Sequence, residues 1–375
     1  MKDFAERRAG PIWTTQAAGA TVARVRENSG TTKIKKIGRK ILSVLPEVNS
    51  LILNRQITTP KPKFSRAVVA FTVLTKAGHL ANGKGTSHEF LQNFCGIIRN
   101  AGLRTVFVSS LRELERLLSD PHPVLIVHLY GEDHATISSS KMDALERQAV
   151  AVFNGSRTGE LLADKLMSHH AFEAGGVPVP PLSESSGFVR SRAGTRLETF
   201  VERGDDGGRF SDDSQIRTAF VDTVIDFENR SYFTTVRLVC VDDIILHAYP
   251  RARDVQERNA SVHASNTPLN PPLIEFLQEK LVDTKSEELS RVARELFSVL
   301  GHGFYAHDLL IDRRDGSVSV CESGFKFYDN AYHDRMEPIA ADLPSQAVLF
   351  PVEAFARLSA HAFVARCDGV LAQRD

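Results

Sequence analysis

Cysteine, tryptophan and methionine are scarce in this chain of 375 residues, with four, one and four copies respectively. Cys95, Cys240, Cys321 and Cys367 lie far apart and show no CxxC spacing. Reduced, buried thiols in a cytoplasmic protein explain that pattern better than a disulfide framework or a zinc site. No run of about 18 apolar residues is present, so no membrane-spanning helix is expected. The opening MKDFAERRAGPIW contains acids and lacks an apolar stretch, which argues against a secretory signal. Net charge is missing too, since 46 Lys/Arg balance 46 Asp/Glu. A chain built as a whole around nucleic acid would be basic.

The balance hides an asymmetry, because residues 1–66 hold 14 Lys/Arg and 4 Asp/Glu, a net of +10, leaving −10 for the rest. Within that basic part, KIKKIGRKILSVL places Ile34, Ile37, Ile41 and Leu42 near one helical face, the pattern of a surface helix or of one that binds a partner. Thr58-Thr59-Pro60-Lys61-Pro62-Lys63 reads as an extended linker. At 42% hydrophobic the chain can bury sizeable cores, and its length calls for two or three domains. The expected division is a basic extension over 1–63, a domain over 64–150 and a larger one over 151–375. In 64–150, RAVVAFTVL, HEFLQNFCGIIRNAG, TVFVSS, LRELERLLSD and PVLIVHLY alternate as strand and helix, predicting a parallel α/β sheet. Beyond 150, strand-like runs follow one another directly, as in α+β architecture.

Chemistry concentrates near the C-terminus. GFYAHDLLIDRRDGSVSVCESG reads as a β-hairpin turning at Arg313-Arg314-Asp315-Gly316, with Asp308 on one strand and Glu322 on the other. Paired strands set two such carboxylates side by side, and convergent hard oxygens suit a magnesium ion carrying phosphates. The plain alternative is a solvated acidic hairpin. A second phosphate candidate is Gly78-x-x-x-x-Gly83-Lys84-Gly85-Thr86 after the first strand, although Gly85 stands where a P-loop has Ser or Thr. His128, Glu132, Asp133 and His134 in HLYGEDH suggest substrate-facing or solvated groups more than a metal site.

Three further segments carry a resemblance: VFNGSRTGELLADKLMSHHAFEAGGVPVPP, TTVRLVCVDDIILHAYPRARDVQERN and the hairpin itself. Together, over residues 120–330, they resemble the ATP-grasp superfamily of carboxylate–amine ligases. The fold this implies is α/β plus α+β: a pre-ATP-grasp domain followed by a two-lobed ATP-grasp fold, hinged near 222–228. By resemblance Lys165 contacts ATP phosphates, Arg251 holds the γ-phosphate or acyl-phosphate, and Arg237 and Asn259 lie nearby. Val224 and Ile225 would meet adenine, Asp226 or Glu228 the ribose, and Asp308 and Glu322 would hold Mg2+. The resemblance implies an ATP-dependent ligase that activates a carboxylate as an acyl-phosphate for attack by an amine or related nucleophile, with a small carboxylic acid, amino acid or peptide as substrate.

The sequence departs from the family at three places. Glu322-Ser323-Gly324 replaces the usual Glu-x-Asn; Arg190 is the best counterpart of a second phosphate-binding lysine; and either SRAGTR or RGDDGGRF could serve as the glycine-rich flap. Two rival readings follow from these differences and from Lys84: a non-catalytic ATP-binding protein, and a P-loop phosphotransferase using Gly78–Thr86.

Overall fold

The computed structural model describes residues 67–72, 88–130, 140–184, 187–193, 198–201, 214–257, 259–325, 327–343 and 351–372. The basic extension, the linker at 58–63, the Gly78–Thr86 loop with Lys84, Glu132, Asp133 and His134, the second half of the flap candidate SRAGTR and all of RGDDGGRF lie outside these residues. No described helix is long and apolar enough to cross a membrane, and no disulfide joins the four cysteines.

The first sheet is parallel, in the order β2-β1-β3-β4, from β1 (Val68–Thr72), β2 (Arg104–Val108), β3 (Val124–His128) and β4 (Ala151–Phe153). Its last strand thus falls just past the expected boundary at 150. β1 and β3 are buried along their whole length, as a parallel strand covered on both faces must be. Val68, Ala70, Val124 and Ile126 meet Leu114 and Leu117 of α2 (Leu111–Leu118) and Met142 and Leu145 of α3 (Ser140–Glu146). On the opposite face Phe71 packs edge-on against Phe94 of α1 (His88–Asn100). That helix stops where the sequence predicts, because Gly102 takes a left-handed φ of 95° while its N–H and that of Leu103 close onto the carbonyls of Arg99 and Ile98.

Two helices, α4 (Ser156–Ala163) and α5 (Lys165–Ala174), lead to a three-stranded antiparallel sheet, β6-β5-β7, from β5 (Gly187–Ser191), β6 (Glu198–Val201) and β7 (Gln215–Thr218). The chain then enters a five-stranded sheet ordered β10-β9-β11-β12, comprising β9 (Arg230–Val241), β10 (Ile244–Asp254), β11 (Phe304–Ile311) and β12 (Val318–Gly324), with β8 (Val224–Phe227) paired to the beginning of β9. β8 and β11 share one edge of β9 end to end. The crossing between the two sheets is pinned where the Arg313 guanidinium contacts the Asp222 carboxylate at 2.6 Å.

Strand alternation gives the larger sheet two unlike faces. Val236, Leu238 and Cys240 of β9 join Ala248 and Ala252 of β10 and Tyr305 and Leu309 of β11 in a core closed by α6 (Pro271–Leu277) and α7 (Ser286–Leu300). Arg237, between Val236 and Leu238, therefore faces the other way. A final helix, α9 (Val352–Ala372), follows α8 (Asn330–Met336) and returns to α1, where Phe363 sits 5.5 Å from Phe94 and Phe355 sits 5.9 Å from Phe90.

Leu296 of α7 is completely buried in the helix-covered core. Leu296→Ala should lower unfolding stability by about 2–5 kcal/mol, seen as a lower urea midpoint at unchanged slope.

Candidate functional site

Backbone register assembles the site. Tyr249 on β10 pairs with Arg237 on β9, Arg237 with Asp308 on β11, and Asp308 with Glu322 on β12, so one row of side chains crosses four adjacent strands. Arg251, two residues beyond Tyr249, lies on the same face. Glu322 reaches this row because the β11–β12 register shifts: Asp308 pairs with Glu322 but Leu309 pairs with Val320, which leaves Cys321 as an extra residue. Without that bulge Glu322 would share a face with Val320, in the core. The hairpin expected from the sequence is present. Its loop spans 312–317, with Gly316 in the left-handed region at φ 73°.

Charges pair closely across the row. One Arg237 Nη1 donates to both oxygens of Asp308 at 3.1 and 3.2 Å, and Arg251 Nη1 approaches the same oxygens at 3.3 and 3.5 Å. Arg251 Nη2 donates to Asp329, which sits just before α8 and also accepts from the Tyr249 hydroxyl at 3.1 Å. From α5, Lys165 Nζ lies 3.6 Å from Glu322. Lys165 is the first residue of that helix, and Asp164 before it caps the helix and pairs with Arg192. From the three-stranded sheet, Arg190 Nη1 donates to the Cys321 carbonyl at 2.8 Å and approaches the Cys321 sulfur at 3.1 Å. Four cations, Lys165, Arg190, Arg237 and Arg251, are thus buried around Asp308, Glu322 and Asp329.

These neighbours set the protonation states. Burial opposes ionisation of Asp308, but the Arg237 and Arg251 guanidiniums outweigh it and hold the carboxyl below its ordinary range. Burial opposes the charge on Arg251 as well, yet Asp308, Tyr249 and Asp329 together raise its pKa further. Desolvation pushes the Tyr249 phenol up, so it stays a neutral donor to Asp329. His307, beside Asp308 but buried against Ser323, is driven down to about 3 by desolvation, and His247 down to about 4 by the same cause.

Of the residues singled out from sequence, Lys165, Arg190, Arg237, Arg251, Asp308 and Glu322 are brought together. The others occupy different places. Val224, Ile225, Asp226 and Glu228 lie in and just after β8, opposite Arg230–Phe233. That is four or more residues before Arg237, roughly 13 Å along the strand. Ile225 packs against the helix-covered core, Asp226 accepts from the Ser231 hydroxyl, and Glu228 forms the turn at φ 53°. Asn259 uses its side-chain oxygen to accept from the Ser261 N–H at 2.9 Å. His128 corrects its reading as a substrate-facing or solvated group: it is buried, joining Thr72 of β1 to Glu146 of α3. Asp329 was not anticipated. The signal for it was Arg251 itself, since a buried guanidinium demands counter-charge, but the sequence does not say from where.

The fit to phosphate and metal can be judged on these atoms. Arg190 Nε and Arg251 Nε are buried without a hydrogen-bond partner among the described residues, which suits a site with donors to spare for an anion. Asp308 and Glu322 are partly exposed, at 26% and 39% of their side chains. No group of three His, Cys, Asp or Glu side chains among the described residues is gathered to hold a metal. A metal here would have to take its remaining ligands from water or phosphate, which is how magnesium is commonly bound.

Both buried histidines should shape the pH dependence of stability. Each binds its proton more weakly folded than unfolded, so the unfolded chain takes up protons first as pH falls below about 6.5. Stability should be at its full value above that pH and decline down to about 4 for His247 and about 3 for His307, the depressed Asp308 pKa adding a further loss below the ordinary carboxylate range. His247→Gln should shrink the difference between urea midpoints at pH 7 and pH 5, whatever its effect at pH 7.

No family model and no curated protein matches the sequence. Solved structures do. The D-alanine–D-alanine ligase of Bacillus anthracis is 13% identical, with a TM-score of 0.47, the match covering 82% of this chain and 99% of that one. The N5-carboxyaminoimidazole ribonucleotide synthetase of Thermotoga maritima is 12% identical, with a TM-score of 0.40, covering 77% and 75%. A RimK domain ATP-grasp protein of Sphaerobacter thermophilus is 14% identical, with a TM-score of 0.41, covering 79% and 99%. The α/β plus α+β order expected from the sequence is present in the sheets of this chain, and the solved structures similar to it include ligases and an ATP-grasp protein.

Proposed function

We propose that the chain is a divergent ATP-grasp enzyme that uses ATP to activate a carboxylate for attack by an amine or related nucleophile. The observation that carries this is the convergence of Lys165 and Arg190, from one lobe, on the Asp308–Glu322 pair and its two arginines on the other. Buried cations from two separate sheets, facing a pair of partly exposed carboxylates, suit a polyphosphate held between lobes.

In that reaction the substrate carboxylate attacks the γ-phosphorus, the bond to the β,γ-bridging oxygen breaks, and ADP leaves. The nucleophile then displaces phosphate from the acyl-phosphate. Lys165, Arg190, Arg237 and Arg251 would neutralise the charge on the phosphate oxygens, and being already fixed by their partners they need little reorganisation to do so. Asp308 and Glu322 would hold magnesium, which when bound supplies polarisation of phosphate oxygens. Phosphoryl transfer to a carboxylate, already deprotonated at neutral pH, needs no general base.

Thermal unfolding with and without a non-hydrolysable ATP analogue and magnesium tests this. A ligand at about 100 times its Kd should stabilise the native state by about 2.7 kcal/mol. The shift should vanish in Lys165→Ala, shrink in Asp308→Asn and on chelation of magnesium, and persist in Lys84→Ala. Loss in Lys84→Ala alone would move the nucleotide to Gly78–Thr86. Screening acid and amine pairs for ADP release then separates an enzyme from a binding protein.

A further inference from the structure

Arg251 has two carboxylate partners, and they are not equivalent. Asp308 meets Nη1 at 3.3 and 3.5 Å, long for a charge-assisted bond, shares its oxygens with Arg237, and is a quarter exposed. Asp329 is different. Its side chain is only 5% exposed, it is hydrogen-bonded to Nη2, and it also accepts from the Tyr249 hydroxyl and from the Tyr332 N–H at 3.3 Å. The Tyr332 ring lies 4.2 Å from that of Tyr249, and its hydroxyl donates to the carbonyl of Pro250, between Tyr249 and Arg251, at 3.1 Å. The contacts close a ring from Arg251 through Asp329 and α8 to Tyr332 and back to the backbone of β10. Asp329 therefore moves only if α8 moves with it, whereas Asp308 has other partners available.

We propose that Asp329 is the positioning residue of Arg251: the fixed counter-ion that keeps the guanidinium in place while Asp308 exchanges it for a metal ion and a phosphate takes the vacated Nη1. This rests on the ATP reading above. A phosphate at Nη1 would be the terminal one if Arg251 has the role its resemblance implies, so loss of Asp329 should be felt through the γ-phosphate and hardly through the rest of the nucleotide. Asp329 as a helix cap alone predicts no such selectivity.

The test is calorimetric titration of wild type, Asp329→Asn and Tyr249→Phe with ADP and with a non-hydrolysable ATP analogue, each with magnesium. Asp329→Asn keeps a side-chain oxygen for the helix cap but removes the charge. It should shift the ratio of the two affinities about tenfold or more against the triphosphate, with ADP affinity nearly unchanged. Tyr249→Phe removes one bond to Asp329 and should shift the ratio in the same direction by less, which keeps the test decisive should Asp329→Asn fail to fold. Equal weakening of both nucleotides, or an unchanged ratio in a folded variant, would overturn the role of Asp329 and leave the ATP site standing. Failure of wild type to bind either nucleotide would overturn the ATP site, and with it the positioning role.

Discussion

Asp308 sits where two constraints meet. Its strand must give one face to the helix-covered core, which fixes the side on which its carboxylate emerges. Two buried arginines from neighbouring strands then need that carboxylate as a counter-charge. A buried cation lacking an anion costs several kcal/mol, and Asp308 offsets that cost for both guanidiniums, with Asp329 offsetting it for Arg251 as well. The row through Tyr249, Arg237, Asp308 and Glu322 is therefore an electrostatic structure before it is anything else. The partly exposed edges of Asp308 and Glu322 are where that structure opens to solvent.

Much of this was legible from residue types and order. Asp308 and Glu322 stand on the two strands of a hairpin whose turn is legible, and alternating apolar residues gave each strand its buried side. Lys165 and Arg251 could be found through the segments around them. The bulge at Cys321 could not. VSVCE reads as simple alternation, which would bury Glu322 beside Val320, and the one-residue shift that re-aims it exists only in the pairing with β11. Asp329 was illegible for another reason: FYDN is an ordinary helix-start pattern, and the cap role is real, so nothing local betrays the arginine 78 residues earlier in the chain. Asn259 shows the converse, a side chain of suitable chemistry whose oxygen is engaged locally.

The two lobes reach the site by different means. The five-stranded sheet supplies groups through strand register, which is rigid and shared among many hydrogen bonds. The other lobe supplies Lys165 from a capped helix start and Arg190 from a short strand, with the Arg190 guanidinium resting on the carbonyl of the bulged residue. The bulge thus serves both lobes: it turns Glu322 toward Lys165 and presents a carbonyl to Arg190. Asp222 and Arg313 tie the crossing segment to the hairpin loop at the other end of the same strand pair.

The packing of α9 on α1 has a consequence for how the chain reaches this state. Phe90 and Phe94 find their partners Phe355 and Phe363 only at the far end of the polypeptide, roughly 270 residues later, which at about 5–20 residues per second of synthesis is a delay of about 13–54 seconds. Phe304 and Phe327, synthesised earlier, supply part of that aromatic packing, and α9 adds the rest. The parallel sheet is synthesised before the rest of the described fold, yet its packing is completed last, and a chain truncated before α9 would leave Phe90 and Phe94 without two of their aromatic neighbours.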